Sequence, residues 1–238
     1  MARSCTLVVC ATLGALLGTS PSAAQTCFGL TPTIEGSGPI TGTAGADVIV
    51  GSDGPDRIDG AGGSDTICGL DGPDRIVASA GGSIDVDGGL GNDRITVLTE
   101  GGGSITLLGG PGNDRLFLDS AGGGSNLLDG AAGNDRLTLE DAGGSNTLLG
   151  GLGNDRIAGA GVGSNVAEGG AGNDKVALVA SGGGNTVDGG EGNDSVTLES
   201  TGTTGNSVTG GDGVDKCFVE GADGTIVECE KLNGEPVS

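Results

Sequence analysis

The feature that most constrains this chain is a glycine-rich nonapeptide that recurs along its length. Eleven copies carry an aspartate at the sixth place, from GTAGADVIV at Gly42 through GGLGNDRIT at Gly88 to GGDGVDKCF at Gly210. Each copy reads as a tight loop, GGxGxD, followed by a short strand of alternating apolar and variable residues. So short a unit cannot bury an apolar face alone; copies must stack, and stacked copies form a solenoid. The glycines permit sharp turns and let several carbonyl oxygens face one point where a β-carbon would clash. Adding the sixth-position carboxylates gives a hard-oxygen donor set that suits calcium, which takes about six to eight such ligands in a tolerant geometry.

These GGxGxD copies in phase resemble the hemolysin-type, or RTX, calcium-binding repeat family, and the resemblance covers most of the chain. It implies an all-β fold, a right-handed parallel β-roll or β-helix solenoid, in which two stacked loops hold each ion through sixth-position carboxylates and backbone carbonyls. Carried over residue by residue, the ligands of several Ca2+ ions are Asp47, Asp56, Asp65, Asp74, Asp93, Asp114, Asp135, Asp155, Asp174, Asp194 and Asp215.

The spacing of the copies sets the organisation. The first four start at Gly42, Gly51, Gly60 and Gly69 without gaps, whereas later ones are wider apart and enclose degenerate units such as AGGGSNLLD from Ala121, with Asn126 in place of aspartate. One coil is therefore two half-turns, with extra residues lengthening the strand after each GND loop. The two edges differ. Asp56, Asp74, Asp93, Asp114, Asp135, Asp155, Asp174, Asp194 and Asp215 form an unbroken file on one edge. On the other, Asp47 and Asp65 give way to Ile84, Ile105, Asn126, Asn146, Asn165, Asn185 and Asn206. A row of ions is expected along the first edge, and on the second, beyond the Asp47/Asp65 pair, a hydrogen-bonded amide ladder.

Position eight carries Ile58, Ile76, Ile95, Leu116, Leu137, Ile157, Val176 and Val196, which are expected inside with Val86, Leu107, Leu128, Leu148, Val187 and Val208. Val97, Leu118, Leu139, Leu178 and Leu198 on the lengthened strands complete a thin aliphatic core. Position seven repeats Arg57, Arg75, Arg94, Arg115, Arg136 and Arg156, then Lys175, as an outward ladder at about the 4.8 Å strand spacing. Such a ladder is either neutralised by nearby carboxylates or offers a groove to a linear anionic polymer.

Four cysteines remain outside the leader, Cys27, Cys68, Cys217 and Cys229. Cys68 and Cys217 lie roughly seven coils of about 4.8 Å apart, and bridged α-carbons must lie within about 7 Å, so Cys27 is expected to pair with Cys68 and Cys217 with Cys229. Each bridge pins one end of the stack.

Residues 1–24 read as a secretory signal, with Arg3 before an apolar stretch from Cys5 to Gly18 and a small-residue cleavage site at Ser22, Ala23 and Ala24. An N-terminal signal departs from the uncleaved C-terminal export signal usual in the family. The expected divisions are a signal at 1–24, an N-terminal cap at 25–41, calcium-binding repeats at 42–218 and a C-terminal cap at 219–238.

A net charge of −22, with no tryptophan or tyrosine and three phenylalanines, predicts a loose ion-free chain and opposes binding to nucleic acid or insertion in anionic membranes. The absence of histidine removes the commonest general base and transition-metal ligand. These features point to a non-enzymatic, secreted calcium-binding protein with a structural or adhesive role outside the cell, its partners calcium and an extracellular or cell-surface polysaccharide. Two alternatives stand beside it. A calcium-dependent polysaccharide lyase or epimerase would use arginine as base, and an ice-binding solenoid would need a flat threonine array. Thr96, Thr138 and Thr197 do not form one, being interrupted by Phe117, Ala158 and Ala177.

Overall fold

The computed structural model describes residues 25–201, 204–221, 223–227, 229, 231–232 and 235–236. The expected signal segment lies outside the described residues. Strands alternate between two sheets in sequence order until the last two, which share a sheet. One sheet has 11 strands, from Ile34–Glu35 and Val48–Val50 through Asn126–Asp129 and Asn146–Leu152 to Asp223–Val227. The other has 12, from Pro39–Thr41 and Arg57–Asp59 through Arg115–Ser120 and Arg136–Ala142 to Lys231–Leu232 and Glu235–Pro236. They are called here the asparagine sheet and the arginine sheet, after the residues that open their central strands. All pairings are parallel except the last, in which Lys231–Leu232 meets Glu235–Pro236 antiparallel. The result is a parallel β-solenoid of about nine turns with no helix among the described residues.

The coil lengthens along the stack. Asp56 and Asp74 are 18 residues apart, whereas Asp93 and Asp114 are 21 apart. The added residues enter the arginine sheet, where Arg57–Asp59 has three residues and Arg94–Thr99 has six. The longer strands turn a second row of side chains inward.

The core follows the expected period of two. Ile58, Ile76, Ile95, Leu116, Leu137, Ile157, Val176 and Val196 stack in direct register and are at most 1% exposed. Val86, Leu107, Leu128, Leu148, Val187 and Val208 face them from the asparagine sheet, and Val97, Leu118, Leu139, Leu178 and Leu198 form the second inner row. Burial of each such side chain contributes about 1.5–3 kcal/mol. The second row has one gap, at Gly159, where a β-carbon would lie 3.1 Å from Leu178 Cδ1.

Both ends are bridged as the spacing required. Cys27 and Cys68 are joined with α-carbons 5.7 Å apart, and Cys217 and Cys229 with α-carbons 6.0 Å apart. An unpaired terminal strand would otherwise offer its hydrogen-bonding edge to another chain.

Candidate metal centre

Each aspartate of the repeat closes a loop and opens a strand, which carries its side chain into the interior of the turn. All eleven are buried, none more than 7% exposed. The structure brings Asp56 and the eight that follow it into one file before the arginine sheet, and sets Asp47 and Asp65 together on the opposite edge.

Within the file, the two carboxylate oxygens have different fates. Oδ1 accepts the backbone N–H of the preceding coil's aspartate: Asp74 N–H reaches Asp93 at 2.8 Å, Asp93 reaches Asp114 at 2.7 Å, and Asp114 reaches Asp135 at 2.7 Å. The relay continues from Asp135 through Asp155, Asp174 and Asp194 to Asp215. Oδ2 is left over. In Asp74, Asp93, Asp114, Asp135, Asp155, Asp174 and Asp194 of the file, and in Asp65 opposite, Oδ2 is buried without a hydrogen-bond donor. A buried ionised oxygen in that state costs several kcal/mol unless a cation or a proton meets it.

Glycine explains where that oxygen sits. A β-carbon on Gly150, the first residue of its loop, would lie 2.6 Å from Asp155 Oδ2 and 2.3 Å from the carbonyl oxygen of Gly169 in the next coil. The missing side chain thus leaves a cradle in which a carboxylate oxygen and a carbonyl oxygen converge. At the fourth position, Gly153 has φ 129°, and its β-carbon would collide with the Gly133 carbonyl at 1.6 Å. Close stacking of the coils therefore demands both glycines. Among the described residues no three acidic, histidine or cysteine side chains converge. The donor set is one carboxylate per loop plus main-chain carbonyls, all hard oxygens, which fits calcium and excludes thiolate or imidazole chemistry.

The first coil is different. Asp56 Oδ2 accepts from Ser52 N–H at 2.7 Å and Ser52 Oγ at 3.0 Å. Asp47 Oδ2 accepts in the same way from Thr43 N–H at 2.6 Å and Thr43 Oγ1 at 2.8 Å. Thr43 and Ser52 at the second loop position, where later loops have glycine or another non-hydroxyl residue, supply both a main-chain and a hydroxyl donor that the later Oδ2 atoms lack.

The amide edge is closed on itself. Asn126 Nδ2 donates to Asn146 Oδ1 at 2.7 Å, Asn146 to Asn165 at 2.8 Å, Asn165 to Asn185 at 3.0 Å and Asn185 to Asn206 at 2.9 Å. Asn185 Nδ2 also reaches the Gly182 carbonyl at 2.8 Å. An amide carries its own donor, so the ladder needs no cation.

A third ladder escaped the sequence reasoning. The exposed fifth-position residues Asn92, Asn113, Asn134, Asn154, Asn173 and Asn193 stack outside the aspartates, each later residue giving its main-chain N–H and Nδ2 to the earlier Oδ1, as from Asn113 to Asn92 at 2.7 and 3.0 Å. Its hydrogen bonds run in the opposite sense to those of the aspartate file. The repeated GND triplet was the available signal.

Burial shapes the acidity of the file. Desolvation, opposed by the backbone N–H bond and reinforced by neighbouring carboxylates, pushes Asp74 and Asp135 up to about 7 and Asp114 and Asp174 up to about 6. Asp65, Asp93, Asp155 and Asp194 are raised for the same first cause. Burial and neighbouring carboxylates thus disfavour ionisation along the file, a cost that a proton or a cation would relieve.

The sequence matches the RTX calcium-binding nonapeptide repeat in four segments, residues 41–81, 101–137, 138–161 and 159–196. No curated protein and no solved structure matches the chain. The matched segments span more than half of the 238 residues, and they contain Asp56, Asp74, Asp114, Asp135, Asp155, Asp174 and Asp194 of the aspartate file, with Asp93 and Asp215 outside them. The chain belongs to the RTX calcium-binding repeat family.

Proposed function

We propose that this is a secreted, non-enzymatic protein whose aspartate file holds a row of Ca2+ ions and which folds fully only when they are bound. The observation that carries the reading is the contrast between the two edges: the amide ladder is self-satisfied, whereas the file leaves buried Oδ2 atoms without donors. The residues assigned to the ions are Asp65, Asp74, Asp93, Asp114, Asp135, Asp155, Asp174, Asp194 and Asp215, with the carbonyls of the glycine cradles. Asp47 and Asp56 keep hydroxyl partners and are assigned a smaller part. Bound calcium supplies positive charge and oxygen coordination, neutralising the file and joining successive loops.

Extracellular modules bind calcium at about 10⁻⁴–10⁻³ M, so such a chain stays loose where calcium is scarce and stiffens outside the cell. The disulfides accord with an oxidising destination. The role proposed there is structural or adhesive, with an acidic glycan as the partner class. Ice binding gains little from the register: Thr106, Thr147 and Thr186 share one outward column of the asparagine sheet, but Leu127 and Val166 separate them. Equilibrium dialysis followed by elemental analysis tests the assignment. Several calcium ions per chain are expected, with magnesium a poor competitor because it prefers strict octahedral geometry; one ion or none would remove it.

A further inference from the structure

The outward face of the arginine sheet carries a column of cations in direct register. Arg57 pairs with Arg75, Arg75 with Arg94, Arg94 with Arg115, Arg115 with Arg136, Arg136 with Arg156, and Arg156 with Lys175. All seven side chains are exposed. Among the described residues none of the seven forms a direct ion pair, so their guanidinium and ammonium groups are not tied to a carboxylate. Stacking seven like charges at about 4.8 Å is unfavourable unless something anionic lies along them.

The neighbouring column gives the site its character. Beside the arginines run Thr96, Phe117 and Thr138, and these line a shallow groove together with Arg94, Arg115, Arg136, Leu116 and Glu140, so that three guanidinium groups there outnumber one carboxylate. Hydroxyls and one flat apolar ring set between regularly spaced guanidinium groups suit a sugar chain: hydroxyl partners, a ring face to stack on and acidic substituents to bind. We propose that this column is a docking groove for a linear acidic glycan carrying a carboxylate or sulfate at regular intervals.

The geometry favours a straight polymer. A nucleic-acid duplex winds away from a straight column, and single strands are held by successive aromatic platforms, whereas Phe117 is the one aromatic ring lining this groove. Each arginine follows a file aspartate in sequence, so the net charge near the groove depends on whether those carboxylates are neutralised. At about 0.1–0.15 M salt, screening over about 8–10 Å shields the groove from the more distant of the chain's negative charges. The inference rests on calcium filling the file, and glycan binding is therefore expected to require calcium.

The test is binding of chondroitin sulfate, unsulfated chondroitin, neutral dextran and a single-stranded oligonucleotide to calcium-loaded protein at low salt. Wild type is compared with Arg94→Gln/Arg115→Gln/Arg136→Gln and with the charge-keeping Lys triple variant. Circular dichroism with calcium is recorded for each, so that loss of calcium-driven folding is told apart from loss of the groove. Chondroitin sulfate should bind, weaken steeply as salt rises, and bind the Gln variant about tenfold or more weakly, with the Lys variant between. Binding of unsulfated chondroitin as well assigns recognition to carboxylates; its absence assigns it to sulfate. Equal binding by wild type and Gln variant, no binding at low salt, or preference for the oligonucleotide would overturn the proposal. Wild-type salt dependence decides the matter even if the triple variants fail to fold.

Discussion

The backbone N–H of Asp135 donates to Oδ1 of Asp155 across 2.7 Å, and Asp155 hands its own N–H to Asp174 at the same distance. Each file carboxylate thereby uses one oxygen to join two coils and turns the other toward the glycine cradle. Position in this relay separates the roles of residues that look identical in sequence.

Replacing Asp135 by Ala removes a coil-to-coil acceptor and a proposed ion ligand, whereas Asn126→Ala removes only amide hydrogen bonds, worth roughly 0.5–1.5 kcal/mol each. The calcium midpoint for folding is expected to rise several-fold in the first variant and hardly move in the second. Equal shifts, followed by circular dichroism, would contradict the two-edged account.

Ser52→Gly gives the first file loop the glycine found at the second position of most later loops and takes the hydroxyl donor from Asp56. The lost bond to a charged group is worth roughly 1.5–3 kcal/mol. At calcium just sufficient to fold the chain, amides of Arg57–Asp59 in wild type should exchange more slowly than those of Arg136–Ala142, and Ser52→Gly should speed their exchange about tenfold or more. Unchanged exchange would mean that the hydroxyl does not substitute for an ion.

Ala131 occupies the second loop position with φ 69°, where Gly151 has 104° and Gly170 has 105°. Relief of left-handed strain in Ala131→Gly should stabilise the calcium-loaded protein by about 0.5–1 kcal/mol. Gly153→Ala should do the reverse and cost upwards of about 3 kcal/mol, because its β-carbon meets the Gly133 carbonyl at 1.6 Å. Thermal melts of both variants check the signs.

The pH dependence of the ion-free chain follows from the raised carboxyls. Asp74 and Asp135 titrate near 7 and Asp114 and Asp174 near 6 in the fold, against about 4 in an unfolded chain. The fold therefore binds more protons than the unfolded chain between about pH 4 and 7; its stability is greatest below that window and is lost as pH rises through it. Desalted, calcium-free protein should show more β-structure near pH 4 than near pH 8. A flat or inverted profile would count against a buried, charge-starved file.

Much of this was legible in the chain because a solenoid converts sequence period directly into spatial contact. Asp114 and Asp135 become neighbours through spacing alone, and so do Arg115 and Arg136 and the inward Leu116 and Leu137. The bridge of Cys27 to Cys68 followed from coil rise. The division of labour between Oδ1 and Oδ2 was not legible, because it depends on rotamers within a loop of fixed composition. Nor was the hydroxyl closure of Asp47 and Asp56: Thr43 and Ser52 read in sequence as ordinary replacements of glycine. The left-handed backbone at Leu70 and Ala131 was hidden for a related reason, since the stack imposes a conformation that their own preferences resist.

Far-ultraviolet circular dichroism of residues 25–238 during a calcium titration at neutral pH tests the central claim most directly, because it reads ion binding and folding together. The account predicts a largely disordered spectrum in chelator that becomes β-rich at millimolar calcium and reverts when chelator is added again. A β-rich spectrum that chelator leaves unchanged would contradict it.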